Sequence, residues 1–143
     1  MYNRTASRAL AWVAAHGHRA APTPAEAAAD AEFVMMCVGN DDDVREVALG
    51  PAGVLANMAS GSVLVDHTTA SADVARELSE QAADVGVGFV DAPVSGGQAG
   101  AENGALTIMC GCDDPEVYDR ARDVMMAYAR ACDRLGDAGA GQL

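Results

Sequence analysis

Small and hydrogen-bonding residues follow apolar runs at several places in the sequence. Four such segments stand out, namely Asn3-Arg4-Thr5, Val38-Gly39-Asn40, Asp66-His67-Thr68-Thr69 and Asp91-Ala92-Pro93-Val94-Ser95-Gly96-Gly97. In an open sheet of parallel strands, ligands bind outside the carboxyl ends of the strands. If the apolar runs are such strands, the four segments together form a site for a nucleotide and a small polar substrate.

Arg4 is the candidate for recognising a phosphate group of that nucleotide. In a dinucleotide-binding fold the second strand ends beside the adenosine ribose, where an arginine accommodates a 2′-phosphate and an acidic residue favours a free 2′-hydroxyl. The guanidinium group of arginine is planar and permanently charged, which suits a phosphate. The alternative interpretation of Arg4 is a surface arginine beside the start of the following helix.

The Ser95-Gly96-Gly97 stretch is the candidate for binding the substrate. It combines a hydroxyl group with backbone N–H groups that no bulky side chain covers, and such a concave set of donors binds anions. A carboxylate is the expected ligand. The alternative is a flexible loop that only connects two strands.

Asp66, Asp91 and His67 are the candidates for moving protons. A carboxylate at a strand end can act as a general base, but such a residue can equally cap the turn that follows it. His67 has no partner that the sequence reveals. Cys110 and Cys112 could form a metal or redox pair, or simply end a strand, and we predict no metal site because no second group of ligands accompanies them.

The elements that must position these segments alternate between strands and helices. Apolar runs predict strands at Phe33–Val38, Val63–Val65, Val87–Val90 and Leu106–Cys110. Apolar periodicity and capping residues predict helices at Ala6–His16, at Asp41–Val47 and after Thr23, Ser71 and Asp114. The first strand shows no polar alternation, which is typical of a strand buried on both faces of a parallel sheet. The predicted fold class is therefore α/β, with a doubly wound, mainly parallel sheet.

Composition narrows the choice of partners. The chain has 143 residues, half of them apolar, which fits one domain with a sizeable core. Its formal net charge is −12, and its nine basic residues are all arginines. This charge argues against nucleic acid or an anionic membrane as a partner. Three of the four cysteines lie in or beside apolar segments, so we expect reduced thiols and a cytoplasmic protein.

The stretch DAPVSGGQAGAENGALTIMCGC, residues 91–112, closely resembles the substrate-loop signature of the β-hydroxyacid dehydrogenase family. That family includes 3-hydroxyisobutyrate dehydrogenase and tartronate semialdehyde reductase, and its NAD-binding domain is of the 6-phosphogluconate dehydrogenase type. Further segments resemble the family in the same order along the chain, namely NRT, VMMCVGNDDDVREVALGPAGVL, VLVDHTTAS and LGDAGAGQL. The resemblance thus extends over the whole chain and rests on a long, specific match.

The resemblance implies an oxidoreductase that transfers a hydride between a nicotinamide cofactor and a small β-hydroxyacid or its semialdehyde. Position by position, it assigns cofactor binding to Asn3, Arg4, Thr5, Val38, Gly39, Asn40 and Thr69. The first three would contact the adenosine ribose and 2′-phosphate, which favours NADP over NAD. The next three would lie along the pyrophosphate, and Thr69 near the nicotinamide ribose. Ser95, Gly96 and Gly97 would hold the substrate carboxylate.

The sequence departs from the family's pattern at both ends. The family begins with a strand and a Gly-x-Gly-x-x-Gly loop, and neither is found in this sequence. The family's catalytic lysine would lie beyond Leu143, and the chain contains no lysine. We therefore expect residues 1–143 to be a partial dinucleotide-binding domain without the family's C-terminal all-helical domain.

Further expectations follow from these departures and from the resemblance. The strand at Phe33–Val38 should have an unpaired edge, and the chain alone should be weakly stable and should not turn over substrate. The family's pattern implies that the intact protein is a homo-oligomer. The alternative function is a non-catalytic remnant that binds a nucleotide or an acid, or a product without function.

Overall fold

A six-stranded sheet runs through the protein, with helices on both of its faces. The computed structural model describes all 143 residues. The strands are β1 (Phe33–Met36), β2 (Val63–Asp66), β3 (Gly88–Asp91), β4 (Val94–Ser95), β5 (Leu106–Gly111) and β6 (Ala129–Gly136). The α-helices are α1 (Ala6–His16), α2 (Pro24–Ala28), α3 (Asp41–Leu49), α4 (Ala72–Asp84), α5 (Gly97–Glu102) and α6 (Pro115–Met125). Short 3₁₀ helices cover Val54–Ala56 and Ala140–Gln142.

Strands β1, β2 and β3 lie side by side and are parallel, which confirms the predicted α/β fold with a mainly parallel sheet. Their last residues are in register, so Met36 lies beside Asp66 and Asp66 lies beside Asp91. The carboxyl ends of the three strands therefore meet at one edge of the sheet. The segments that follow them, which carry most of the candidate residues, begin at that edge.

Strand β5 departs from the parallel arrangement, because it runs antiparallel to β3 and β4. The chain between β4 and β5 holds only the short helix α5, whereas a parallel return needs a crossover of about a dozen residues or more. Strand β6 then pairs with β5 in parallel, after the full-length helix α6. The polar residues of β6 left no apolar run, so the sequence did not predict this strand.

Two hydrophobic clusters cover the two faces of the sheet. Leu64 and Phe89 pack in one cluster with residues of α3 and α4, while Val65 and Val90 pack in the other with residues of α6. Strand β2 is buried along its whole length, as expected for a strand between two helical layers. None of the helices is long and apolar enough to cross a bilayer.

The predicted helix starts agree with the hydrogen bonds at the caps. Thr23 Oγ1 accepts from the Glu26 N–H, Ser71 Oγ from the Val74 N–H, and a carboxylate oxygen of Asp114 from the Glu116 N–H. Each bond satisfies an N–H group that the first turn of a helix leaves without an acceptor. Local sequence is therefore sufficient to begin α2, α4 and α6.

The prediction of two buried faces is wrong for the Phe33–Val38 segment. Strand β1 forms an edge of the sheet, as the absence of a preceding strand in the sequence led us to expect. Within this segment only Met36 is buried, and Met35, in a strand that we expected to be buried on both faces, is 38 % exposed. An edge strand lacks a neighbour on one side, so the helical layers cover it incompletely.

Candidate functional site

A cavity of about 510 Å³ opens between the N-terminal segment and the chain that follows β1. Its lining includes five of the seven predicted cofactor-binding residues, namely Asn3, Arg4, Thr5, Val38 and Gly39. Chain segments more than thirty residues apart in sequence thus meet at one concave surface. The volume is in the range of pockets that bind small organic molecules, which is roughly 300–1,000 Å³.

Arg4 lies in this cavity with its guanidinium Nη1 bonded to a carboxylate oxygen of Asp43 at 2.8 Å. The Arg4 side chain is 75 % exposed and that of Asp43 is 19 % exposed, so the ion pair sits at the cavity surface. Beside it, the Asn3 side chain accepts from the Thr5 N–H and shapes the turn before α1. Arg8 also lines the cavity and adds a second positive charge.

Sequence reasoning overlooked Arg8 and Asp43. The signal for Arg8 was its place in the first turn of α1, directly after the Asn3-Arg4-Thr5 segment. Asp43 left no such signal, since 39 residues separate it from Arg4.

The segment after β1 brings backbone close to the cavity. The Val38 N–H donates to Thr68 Oγ1 at 3.0 Å, which ties this segment to the end of β2. A Cβ on residue 39 would come within 2.5 Å of Asp43 Oδ2, so only glycine leaves that carboxylate in place. Asn40 does not line the cavity, since it caps α3 by accepting from the Asp43 N–H.

The last residue of β2 is a buried acid. Asp66 is 2 % exposed, and its Oδ1 accepts from the Thr68 N–H, so it caps the following turn as one interpretation of the sequence predicted. Burial raises the pKa of Asp66 to about 6, with a smaller rise from the nearby charge of Asp91. Thr69 is exposed at the same end of the sheet and does not line the cavity.

Asp91 ties the end of β3 to the C-terminal segment. Its Oδ1 accepts from the Gly139 N–H at 2.7 Å, while its buried Oδ2 has no hydrogen-bond partner. Burial raises the pKa of Asp91 as well. Gln142 adds a second tie, because its side-chain amide donates to the Thr68 carbonyl and accepts from the Ala70 N–H. No sequence motif indicates this role for Gln142.

The Ser95-Gly96-Gly97 stretch is exposed and stands at the start of α5. Gly96 and Gly97 have φ angles of 135° and 61°, which residues with a side chain rarely adopt. No side chain caps α5, so the first N–H groups of this helix remain available to an anion. The stretch has exposed donors but lies outside the 510 Å³ cavity, so the carboxylate site stays a prediction.

His67 has two polar partners that the sequence did not reveal. One ring nitrogen, Nδ1, lies 2.7 Å from the Ala92 carbonyl oxygen, and the other, Nε2, lies 2.8 Å from the Tyr128 hydroxyl. Burial lowers the pKa of His67 and raises that of Tyr128 to about 12. Both groups are therefore neutral near pH 7.

The cysteines of the Cys-Gly-Cys stretch have different neighbours. Cys110 Sγ lies 3.6 Å from Cys132 Sγ on β6, whereas Cys112 Sγ donates to the Asp114 carbonyl. Burial raises the pKa of Cys112 to about 11, so its thiol stays protonated near neutral pH. The protein has no group of three or more His, Cys, Asp or Glu side chains arranged to hold a metal ion.

A mainly parallel sheet with helices on both faces, and a cavity beyond the carboxyl end of β1, is typical of a Rossmann-type nucleotide-binding domain. Comparison with known families agrees with this class. The family described as the NAD binding domain of 6-phosphogluconate dehydrogenase matches residues 1–136. The chain belongs to that family.

The relatives that this chain matches include oxidoreductases. An uncharacterised oxidoreductase of Shewanella frigidimarina is 52 % identical over 143 residues, which is 100 % of this chain and 49 % of the relative. The structure of Mycobacterium tuberculosis 3-hydroxyisobutyrate dehydrogenase with L-serine superimposes with a TM-score of 0.89 at 33 % identity, covering 99 % of this chain and 47 % of that one.

A second solved structure, Psf3 in complex with NADP⁺ and 2-OPP, superimposes with a TM-score of 0.90 at 26 % identity. The match covers 98 % of this chain and 49 % of that chain. The chain thus spans about half the length of the relatives that it matches.

Proposed function

We propose that this chain is the nucleotide-binding part of an NADP-dependent oxidoreductase that acts on a small β-hydroxyacid or its semialdehyde. The observation that carries the proposal is the 510 Å³ cavity, in which Arg4 lies beside the backbone of Val38 and Gly39. The lining holds two arginines, Arg4 and Arg8, and two carboxylates, Asp43 and Glu46. The exposed Arg4 guanidinium and the close backbone nevertheless suit a phosphorylated ligand. The family and the relatives support a nicotinamide cofactor as that ligand.

Each cavity residue has a role at a particular part of the cofactor in this proposal. Arg4 binds the 2′-phosphate, with Arg8 adding charge, and Asn3 and Thr5 shape the turn around the adenosine ribose. Asp43 orients the Arg4 guanidinium while leaving four of its five N–H donors free for phosphate oxygens. NAD, which lacks the 2′-phosphate, is the weaker cofactor in this proposal.

The remaining cofactor contacts lie along the sheet edge. Val38, Gly39 and Asn40 follow the pyrophosphate, and Thr69 contacts the nicotinamide ribose. When bound, the nicotinamide supplies or accepts the hydride. The role of this chain is to bind the cofactor and to hold its ring at the carboxyl ends of β2 and β3.

The substrate carboxylate binds at Ser95, Gly96 and Gly97, whose hydroxyl and backbone donors face solvent at the start of α5. This stretch adjoins the end of β3, so a small acid bound here lies at the same sheet edge as Thr69. The 3-hydroxyisobutyrate dehydrogenase relative supports an acid of this size.

Residues 1–143 constitute, in this proposal, a partial dinucleotide-binding domain of a cytoplasmic homo-oligomer with an all-helical C-terminal domain. The proposal assigns the group that moves the substrate proton to a residue outside these 143, which is supported by the absence of lysine from them. The 143 residues alone therefore bind the cofactor but do not turn over substrate. A hydride-transfer rate measured on this polypeptide would contradict that part of the proposal.

Calorimetric titration of the chain with NADPH and with NADH tests the cofactor assignment. We expect wild type to bind NADPH more tightly than NADH. Arg4→Gln should weaken the binding of NADPH by roughly 10- to 100-fold and leave the binding of NADH unchanged, since hydrogen bonds to charged groups contribute about 1.5–3 kcal/mol. Arg76→Gln is the matched control, because Arg76 is an exposed arginine on α4 that pairs with Asp73. Equal losses for both nucleotides in Arg4→Gln would refute the role of Arg4.

A further inference from the structure

One pair of side chains connects three segments near the candidate substrate site. His67 follows β2, Tyr128 lies between α6 and β6, and Ala92 follows β3. His67 bonds to the Ala92 carbonyl through Nδ1 and to the Tyr128 hydroxyl through Nε2. The two rings meet edge to face, with centroids 5.7 Å apart, which adds a favourable aromatic contact.

The partners of His67 define its tautomer. A carbonyl oxygen can only accept a hydrogen bond, so Nδ1 must carry the proton that bonds to Ala92. Nε2 of the neutral ring is then an acceptor, and the Tyr128 hydroxyl donates to it. The lowered pKa of His67 agrees with this neutral form. Met35 Sδ, 3.7 Å from the Tyr128 oxygen, is a weaker alternative acceptor for the same proton.

The pair contacts both ends of one stretch of chain, residues 92–106. His67 holds its first residue, Ala92, and the Tyr128 carbonyl accepts from the N–H of its last residue, Leu106. A Cβ on Gly104 would lie 3.9 Å from Tyr128 Cα, so the backbone at Tyr128 also lies near the turn before β5. Ser95, Gly96 and Gly97 lie inside this stretch.

We propose that His67 and Tyr128 are positioning residues that fix the carboxylate-binding loop, residues 92–106, in the conformation that receives the substrate. The loop contains Gly96 and Gly97, whose freedom would otherwise allow many arrangements of the donors. Holding both of its ends reduces the entropy that is lost when the acid binds. This inference rests on the proposed function, because it takes Ser95–Gly97 to be the carboxylate site.

Two substitutions remove the same hydrogen bond from opposite sides. Tyr128→Phe deletes only the hydroxyl, and His67→Asn keeps a donor near the Ala92 carbonyl while losing the acceptor for Tyr128. Tyr118→Phe is the matched control, since the Tyr118 hydroxyl donates to the Cys132 carbonyl, away from the loop. Unfolding curves of all variants show whether each one folds.

The experiment titrates 3-hydroxyisobutyrate into the ¹⁵N-labelled full chain and follows the amide signals of residues 95–97. We expect the dissociation constant to rise about tenfold in Tyr128→Phe and in His67→Asn, about as much in the double variant, and not at all in Tyr118→Phe. Wild-type His67 should show a protonated Nδ1 and an unprotonated Nε2 in its ¹⁵N signals. Unchanged affinity in Tyr128→Phe, or the opposite tautomer, would overturn the inference.

The same spectra separate this inference from the proposed function. If wild type binds no acid, but the loop amides shift in Tyr128→Phe and not in Tyr118→Phe, the positioning role stands and the substrate assignment fails. If the loop amides are unchanged in both Tyr128→Phe and His67→Asn, the positioning role is refuted whether or not the acid binds.

Discussion

Asp66→Asn should change how the stability of the protein depends on pH. Asp66 is buried at the end of β2, and burial raises its pKa from 3.8 to about 6. Asparagine has nearly the same shape and keeps an oxygen that can accept from the Thr68 N–H, but it cannot ionise. The substitution therefore removes the titration of one buried group while preserving its cap.

The sign of the effect follows from proton binding in the two states. Between pH 4 and pH 6 the folded protein holds a proton on Asp66 that the unfolded chain has released, so the free energy of unfolding falls as pH rises. A shift from 3.8 to about 6 corresponds to about 3 kcal/mol. This contribution is fully present below pH 4 and is lost above pH 6.

Urea unfolding at unit intervals from pH 4 to pH 8 measures this difference. We expect the free energy of unfolding of Asp66→Asn, relative to that of wild type, to rise by about 3 kcal/mol between pH 4 and pH 8. The reason is that the variant avoids the cost of a buried charge. Relief of the repulsion between Asp66 and Asp91 acts in the same direction. Asp123→Asn, an exposed carboxylate on α6, is the matched control. A difference between wild type and Asp66→Asn that stays constant with pH would refute the reasoning.

Two further substitutions test the packing and capping of α4. Leu78 is fully buried, so Leu78→Ala should lower the free energy of unfolding by about 2–5 kcal/mol, whereas Leu10→Ala, at a 62 % exposed position, should change it by less than about 0.5 kcal/mol. Equal effects in urea unfolding would contradict the assigned core. Ser71→Ala removes the cap of α4 and the hydroxyl that donates to Asp41, and it should cost about 1 kcal/mol. Ser71→Asp, which can cap but places a second carboxylate beside Asp41, should not restore stability at pH 7.

The sequence carried enough information for most of the helices and for the central strands. Capping residues such as Thr23 and Ser71 act within three residues of their own position, so the starts of α2 and α4 were predictable. Helix α1 has the predicted bounds. The apolar runs at β2 and β3 are buried by the helices that flank them in sequence. Their apolar pattern was therefore sufficient to predict both strands.

Other elements had no comparable local signal. Helix α5 is glycine-rich and only six residues long, and β6 carries charged residues between its buried ones, so neither matched a simple pattern. The exposure of Met35 was mispredicted because an apolar run cannot show whether its strand has a neighbour on both sides. The cavity had no sequence signal beyond the separate motifs that line it.

The amino-acid sequence by itself determined the fold class, the order of the central elements and the motifs that follow the strands, because these depend on periodicity and on contacts between near neighbours. Tertiary structure alone decided that Arg4 pairs with Asp43, that His67 bonds to Tyr128 and that Gln142 reaches Thr68. Their separations along the chain are 39, 61 and 74 residues. Such pairs leave no periodic trace, since only the sheet brings their backbones together and its hydrophobic packing supplies the free energy that holds them there.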